Sequence, residues 1–277
     1  MARIGRRIAF DYGDVRIGVA ICDPDGILAT PIATLQSKNP ALKSEIAKLL
    51  SEYEPVMAYV GNPKLLSGDD GEAVSKVLTF IFPKLIWKIN ELEIEKTIYL
   101  TFDDGPTPEI TNYVLDLLTK YKAKATFFCI GKNIVSNQEL AKQILKDGHK
   151  IGNHTMNHLN SWHVSSKDYF NEFTQCEDII SNLGTHSVGF RPPYGRINSF
   201  IYSQLIHHTK IYMWTFITGD YNPKNNPNLI IDSAKKNIKN GSILIFHDSQ
   251  KAFPVLSNIL EPILQYGTQN NYKFKTL

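Results

Sequence analysis

Five stretches of the sequence end in the side chains that metal-assisted hydrolysis uses. Each stretch follows an apolar run with the pattern of a β-strand. The residues are Asp103-Asp104, His154 with His158, Arg191, Asp220, and His247-Asp248. Because the carboxyl ends of parallel strands meet at one edge of a sheet or barrel, these side chains are predicted to share one pocket.

His154 and His158 are four residues apart in the stretch HTMNH. On a helical turn this spacing would let both imidazoles reach one ion. One carboxylate added to two histidines gives three protein ligands and leaves open positions, which is how a catalytic divalent ion is held. The pattern therefore indicates a catalytic rather than a structural metal site.

Taken singly, each feature also has a simpler interpretation. Asp-Asp-Gly-Pro is typical of a turn, and eight histidines in one chain produce such a pair by chance. Arg191 fits an exposed loop cation, Asp220 a plain turn, and His247 a core histidine with satisfied hydrogen bonds. Only their conjunction, in this order and at the ends of predicted strands, indicates an active site.

The elements that must position these residues alternate along the chain. Strands are predicted at 97–102, 125–130, 150–154, 188–191, 211–216 and 242–247. Helices are predicted to begin at Thr107-Pro108 and to cover 137–147, 165–183, 198–208, 229–239 and 255–265. Apolar strands alternating with amphipathic helices predict an α/β fold with a parallel sheet, either as a barrel or as an open sheet.

The first part of the chain differs in composition from the rest. Residues 1–77 contain nine Ala and two Asn, whereas residues 78–277 contain five Ala and nineteen Asn. A shift this sharp predicts a fusion of two unrelated domains, 1–77 and 78–277. Within the first domain, strands are predicted at 6–12, 16–23, 27–35 and 56–61, with a helix at 41–53.

The bulk properties exclude several classes of protein. A net charge of +3 over 277 residues does not by itself favour a nucleic-acid or membrane partner. The cysteines, Cys22, Cys129 and Cys176, are too far apart for a disulfide framework or a thiolate zinc site. The most apolar run, 78–87, is about half the roughly 20 residues that span a bilayer. With no secretory signal visible, a cytoplasmic protein is expected; no oligomeric state is predicted.

The ordered motifs resemble those of the NodB-type polysaccharide deacetylases, carbohydrate esterase family 4. The five motifs of that family are matched, over roughly residues 80–270, by TFDDG (101–105), HTMNH (154–158), RPPYG (191–195), Asp220 in TGDYN, and ILIFH (243–247). The resemblance implies a distorted (β/α) barrel with fewer than eight complete units. It also implies hydrolysis of N-acetyl or O-acetyl groups on a polysaccharide or oligosaccharide, with N-acetylglucosamine units as the expected substrate. Members of the family often act outside the cytoplasm.

The same resemblance assigns the metal and the base. Asp104, His154 and His158 would bind a divalent ion, with Zn²⁺ expected and Co²⁺ or another ion as alternatives. Asp103 would be the general base for the attacking water, whose pKa the ion lowers. Arg191 would orient Asp103 and keep it ionised.

It further assigns the acid and the substrate contacts. His247 would protonate the leaving amine, and Asp220 would keep His247 protonated. The backbone N–H of Tyr194 would stabilise the oxyanion. Tyr194, Tyr221 and Trp214 could stack on a sugar ring, although a core position is equally open for Trp214.

The N-terminal stretches IAFDYGDVRIGVAICDPDG and VGNPKLLSGDDG resemble the first half of a Holliday-junction resolvase or rRNA-processing nuclease family with an RNase H-like fold. The resemblance makes Asp11 the first metal carboxylate. Two-metal nuclease chemistry needs further carboxylates, which in that family come from a later half, so a partial, inactive segment is expected. Two alternative functions follow: nucleic-acid processing or binding through residues 1–77, and a deacetylase-like domain that binds glycan without turnover.

Overall fold

The computed structural model describes residues 5–13, 15–55, 57–60, 82–89 and 95–277. The chain divides into two compact units, residues 1–85 with 197–204, and residues 86–196 with 205–277. The predicted boundary between residues 77 and 78 lies outside the described residues and stays a prediction, as does the structure of the stretch VGNPKLLSGDDG beyond Val60. No helix in the described ranges is long and apolar enough to span a bilayer.

The first unit contains a mixed four-stranded sheet. Its elements are β1 (Arg7–Tyr12), β2 (Arg16–Cys22), β3 (Ala29–Gln36), helix α1 (Leu42–Tyr53) and β4 (Met57–Val60). The strand order is β3-β2-β1-β4, with β1 antiparallel to β2 and parallel to β4. Alternate residues of β2 are buried, and apolar side chains of the sheet pack with Leu42 and Ile46 of α1 in a small core. The predicted elements of this segment are thus confirmed within a few residues.

The remaining strands are short. They are β5 (Leu85–Ile86), β6 (Thr97–Asp103), β7 (Ala125–Cys129), β8 (Lys150–Asn153), β9 (Ile211–Tyr212), β10 (Phe216–Ile217), β11 (Ser242–His247) and β12 (Lys273–Phe274). The helices between them are α2 (Pro108–Lys120), α3 (Gly131–Ser136), α4 (Gln138–Lys146), α5 (Ser166–Ser181), α6 (Ser199–Leu205), α7 (Pro227–Asn237) and α8 (Phe253–Gln269).

The main sheet of the second unit is parallel. Its order is β10-β11-β6-β7-β8, and β12 also pairs with β6. Beyond β8 the sheet continues through single parallel bridges, from Asn153 to Phe190 and from Phe190 to Ile211. Every residue of β6 is buried, which explains why this central strand is a continuous apolar run rather than an alternating one. The α/β class and the parallel sheet are therefore confirmed.

Three segments differ from the predictions. The predicted strand at 188–191 forms only the bridges at Phe190, and the predicted strand at 211–216 is divided into β9 and β10. The carbonyls of Tyr212 and Met213 accept hydrogen bonds from the Arg191 guanidinium, so a side chain takes bonds that a neighbouring strand would otherwise supply. The predicted helix at 137–147 is preceded by an additional short helix, α3.

Candidate active site

Asp103 and Asp104 occupy the carboxyl end of β6. Asp103 is the last residue of the strand and stands in register with His247 on the neighbouring strand β11. Asp104 has a left-handed backbone with φ of 81°, so its carboxylate leaves the chain in a different direction. The two neighbours therefore reach one pocket from different angles.

Asp104 faces the two histidines predicted with it. Its Oδ1 lies 3.3 Å from Nε2 of His158 and 3.7 Å from Nε2 of His154. The three candidate ligand atoms lie within 4.8 Å of one another, and this is the metal-type cluster found among the described residues. Oδ1 of Asp104 is buried without a hydrogen-bond partner, which is costly unless a cation or proton satisfies it. Two imidazole nitrogens and a carboxylate oxygen fit a divalent ion.

The histidine pair is not on a helical turn, which corrects the sequence prediction. His154 follows directly after β8, and Thr155 and His158 both have positive φ, 65° and 59°. A tight irregular loop brings the two rings to a centroid distance of 5.0 Å. Spacing alone could not distinguish this loop from a helix.

Both rings present the nitrogen that metal binding needs. Nδ1 of His154 is 2.7 Å from the Arg191 carbonyl, so Nδ1–H donates there and Nε2 is left with its lone pair towards Asp104. Burial, together with the neighbouring His154, lowers the pKa of His158 to about 4. His158 is therefore neutral at pH 7, the form in which imidazole ligates a metal.

Arg191 and Asp103 form a buried ion pair. Nη1 of Arg191 donates to Oδ1 of Asp103 at 2.7 Å and to the Thr101 hydroxyl at 2.7 Å. Burial alone would raise the pKa of Asp103, but the charge and hydrogen bond of Arg191, together with the nearby His154 and His247, hold this pKa below its usual value. The Arg191 side chain is fully buried and stacks on the Phe128 ring, 4.1 Å from its centroid, which fixes its position.

His247 and Asp220 form the second charged pair. Asp220 accepts from the backbone N–H of His247 at 2.8 Å and from the ring Nδ1 at 2.7 Å. Burial would lower the pKa of His247, but the hydrogen bond and charge of Asp220 raise it to about 9. The ring is therefore protonated at neutral pH.

Two of the aromatic residues named as substrate contacts lie beside the histidines of the pocket. The Tyr194 ring lies 4.6 Å from His158 and the Tyr221 ring 5.3 Å from His247, and both tyrosines are exposed. The backbone of Tyr194 is left-handed, with φ of 60°. Trp214 is half-buried and packs against Gly195, so it forms a wall of the pocket rather than part of the deep core.

Two buried carboxylates that sequence reasoning did not assign hold the loops in place. Glu172 of α5 accepts from the backbone N–H of Asn157 at 2.7 Å and from its side-chain amide at 2.8 Å, within the His154–His158 loop. Asp248 accepts from the N–H of Gly105 at 3.0 Å and from the Thr111 hydroxyl at 2.5 Å, beside Asp104. In the sequence, the signal for Glu172 was an acidic residue at a position that the helical periodicity places on the buried face of α5.

Asp11, the first metal carboxylate implied by the nuclease resemblance, belongs to the first unit. It lies on β1 opposite Gly18 and is exposed. It does not belong to the metal-type cluster found among the described residues. Three further acids of this segment, Asp14, Asp69 and Asp70, lie outside the described residues.

Comparisons with known proteins find different relatives for the two parts of the chain. Residues 93–214 match the family model described as "Polysaccharide deacetylase". A peptidoglycan-N-acetylglucosamine deacetylase of Bacillus cereus is 37% identical over 188 residues, which cover 66% of this chain and 87% of that protein. The peptidoglycan-N-acetylmuramic acid deacetylase PdaC of Bacillus subtilis is 32% identical over 184 residues, but these span only 38% of its length. The structure of PdaC has a TM-score of 0.60, covering 66% of this chain and 89% of that structure at 31% identity.

Residues 5–95 match a second family model, described as "Holliday junction resolvase". A Streptomyces coelicolor protein described as a pre-16S rRNA nuclease is 52% identical over 79 residues, 28% of this chain and 47% of that protein. The chain thus spans about half the length of this relative, as the partial segment predicted from the sequence requires.

The parallel sheet, the five motifs gathered at its carboxyl edge and the similarity over two thirds of the chain lead to one assignment: the chain belongs to the polysaccharide deacetylase family, carbohydrate esterase family 4.

Proposed function

We propose that this protein is a zinc-dependent deacetylase that removes the N-acetyl group from N-acetylglucosamine units of a peptidoglycan-type glycan. The observation that carries the proposal is the convergence of Asp104, His154 and His158 next to an ionised Asp103 and a protonated His247. The choice of sugar follows the Bacillus cereus relative, whose name gives N-acetylglucosamine and whose identity of 37% exceeds the 32% of PdaC.

Asp104, His154 and His158 would hold the ion. A bound Zn²⁺ would supply Lewis acidity, lowering the pKa of a coordinated water and polarising the acetyl carbonyl. Two imidazoles and one carboxylate suit Zn²⁺, although other divalent ions accept the same ligands.

Asp103 is the group suited to removing the proton from the attacking water. Its Oδ1 is held by Arg191, which leaves the other carboxylate oxygen available. Because the guanidinium lowers the pKa of Asp103, the carboxylate is ionised and ready to accept a proton at neutral pH.

His247 is the group suited to protonating the leaving amine. Asp220 binds its Nδ1, so the acidic proton is carried by Nε2. Without this proton the amine would leave as an unstable anion, so the C–N bond would not break at a useful rate. Base and acid thus stand on adjacent strands, in register with each other at the carboxyl edge of the sheet.

The Tyr194 N–H is the candidate donor to the oxyanion. Its left-handed backbone and its place beside His158 support this role. Tyr221, next to His247, supplies an apolar face for the acetyl group or sugar ring.

The test is an acetate-release assay on N-acetylglucosamine oligomers and peptidoglycan after removal and readdition of metal. Activity that is abolished by a chelator and restored by Zn²⁺ supports the proposal. A chain that binds Zn²⁺ in this site yet releases no acetate from any acetylated glycan would instead favour glycan binding without turnover.

A further inference from the structure

We propose that Arg196 is a subsite for a carboxylate on the sugar next to the one that is deacetylated. This inference rests on the proposed function, because it names a feature of that substrate. A contact between Arg196 and this carboxylate would make the enzyme selective for acidic glycans over neutral polymers of N-acetylglucosamine.

Arg196 is held between two aromatic rings. Its guanidinium carbon lies 4.4 Å from the centroid of Trp162 and 5.9 Å from that of Tyr194. Both distances are within the range in which a cation is attracted to an aromatic face. The Arg196 carbonyl also accepts from the Ser161 hydroxyl at 2.9 Å, which ties the two loops together. The side chain is therefore oriented before any ligand binds, and less conformational entropy is lost on binding.

The position of Arg196 fits a neighbouring sugar rather than the reacting acetyl group. Tyr194 is a neighbour of both groups, since its ring centroid lies 4.6 Å from that of His158 and 5.9 Å from the guanidinium carbon of Arg196. Arg196 is thus one aromatic ring away from the candidate metal ligands. A glycan whose acetyl group reaches the pocket would extend its next unit over the Tyr194–Trp162 surface, where Tyr194 is 60% and Trp162 is 36% exposed.

The charge of Arg196 is not neutralised by any of the described residues. No carboxylate of the described residues lies within ion-pair distance of it. Arg191, five residues earlier, is by contrast fully buried against Asp103. Arg196 is only half-buried, so its planar donors can meet a carboxylate from solution.

The chemistry of the ligand follows from this arrangement. Aromatic faces bind a sugar ring, and a guanidinium beside them binds an acidic substituent. In peptidoglycan the unit next to N-acetylglucosamine carries a lactyl ether, which ends in a carboxylate or continues into a peptide with carboxylates of its own. A chitin oligomer has no such charge.

The experiment compares kcat/KM for acetate release on four substrates by the Zn²⁺-loaded full chain. They are a peptide-free tetrasaccharide of N-acetylglucosamine and N-acetylmuramic acid, its uncharged lactyl methylamide, the same glycan with peptide stems, and a neutral chitin tetramer. Arg196→Gln is expected to lower kcat/KM about tenfold on the acidic glycans and to leave the two neutral ones unchanged. Lys235→Gln, which removes an exposed cation on α7, is the matched control. A loss on the peptide-free glycan identifies the lactyl carboxylate, and a loss only on the peptide-bearing one identifies the stem.

Equal effects of Arg196→Gln on acidic and neutral substrates would overturn the subsite. Raising the NaCl concentration on the wild-type chain checks the same point without a substitution, since only the acidic substrates should lose kcat/KM. If the wild-type chain released no acetate at all, the proposed function would fail by itself. Binding of the acidic tetrasaccharide and its methylamide to the wild type and to Arg196→Gln, measured by calorimetry, would then still decide the subsite. The preference for the acidic glycan should disappear in Arg196→Gln, and an unchanged preference would overturn the subsite.

Discussion

One backbone angle gives two adjacent carboxylates different environments. Asp103 ends a buried strand and pairs with Arg191, whereas Asp104 turns into the left-handed region and faces two imidazoles. The Asp-Asp pair is thus both a turn, as its composition indicates, and a candidate pair of base and ligand. This arrangement leads to two predictions about proton transfer.

The first prediction concerns Asp103 as the general base. Asp103→Asn keeps the shape of the side chain but removes its basicity, so acetate release should fall about 10²- to 10⁴-fold. Zn²⁺ affinity, measured by calorimetry, should stay close to that of the wild type. Asp104→Asn is the matched control, since it should weaken Zn²⁺ binding as well. A rate for Asp103→Asn close to that of the wild type would show that the base has been wrongly identified.

The second prediction concerns His247 as the general acid and the pH dependence of kcat. The pKa of His247 is raised to about 9, so the required proton is present below that value and kcat should decline as pH rises through about 9. Asp220→Asn keeps an oxygen that can accept from the ring but removes the negative charge that raises this pKa. The alkaline decline of kcat should therefore move towards the ordinary histidine value of about 6.5. An unchanged alkaline limb in the pH profile would rule out His247 as the titrating acid.

At the scale of elements, helix α5 shapes the loop that carries the histidines. Glu172 binds the Asn157 backbone and side chain, and Asn153 at the end of β8 accepts from the Thr155 N–H at 2.8 Å. The Thr155 hydroxyl in turn accepts from the N–H of His158 at 3.0 Å. These bonds stabilise a backbone with two positive φ angles, which would otherwise be unfavourable.

The third prediction tests this support. Glu172→Ala should lower Zn²⁺ affinity about tenfold, because the loss of groups that orient metal ligands typically has that effect. Asp178→Asn, on the exposed face of the same helix, should leave the affinity unchanged. The readout is the dissociation constant for Zn²⁺ by calorimetry, with circular dichroism as the check on folding. If a folded Glu172→Ala protein bound Zn²⁺ as tightly as the wild type, Glu172 would have no role in supporting the metal site.

The sequence was sufficient to predict some elements and not others. Strands β6 and β11 are continuous apolar runs ending in polar residues, so both the strands and the site edge could be identified. The loop of His154 and His158 could not, since an i, i+4 spacing fits a helix and a left-handed turn alike. The break between β9 and β10 depends on Arg191. Its guanidinium donates to the carbonyls of Tyr212 and Met213, about 20 residues further along the chain. Long-range side-chain bonds of this kind leave no local pattern.

At the scale of the whole molecule, the chain joins two segments with different relatives. The first has its own sheet and a small core, yet it matches less than half of the nuclease relative. Residues 82–85 group with 197–204 in the same compact unit. There Phe82 lies edge-on to Tyr202 at 4.8 Å, and the Lys84 N–H donates to the Tyr202 hydroxyl at 3.0 Å.

The fourth prediction follows from these contacts. Deleting residues 1–77 should leave kcat/KM for acetate release within about twofold, because a domain with its own core folds independently. Deleting residues 1–85 also removes Phe82 and Lys84, and it should lower Tm relative to the shorter deletion. Failure of the shorter deletion to fold would contradict a domain boundary at residue 77.

The most direct test of the central claim is a titration of the metal-free chain with Zn²⁺, in which acetate release from a peptidoglycan glycan is measured at each addition. The account predicts no release at the start and a rise that ends at one equivalent, with no rise for His154→Ala over the same range. Release that is already complete in the metal-free chain, or that rises equally in His154→Ala, would contradict it.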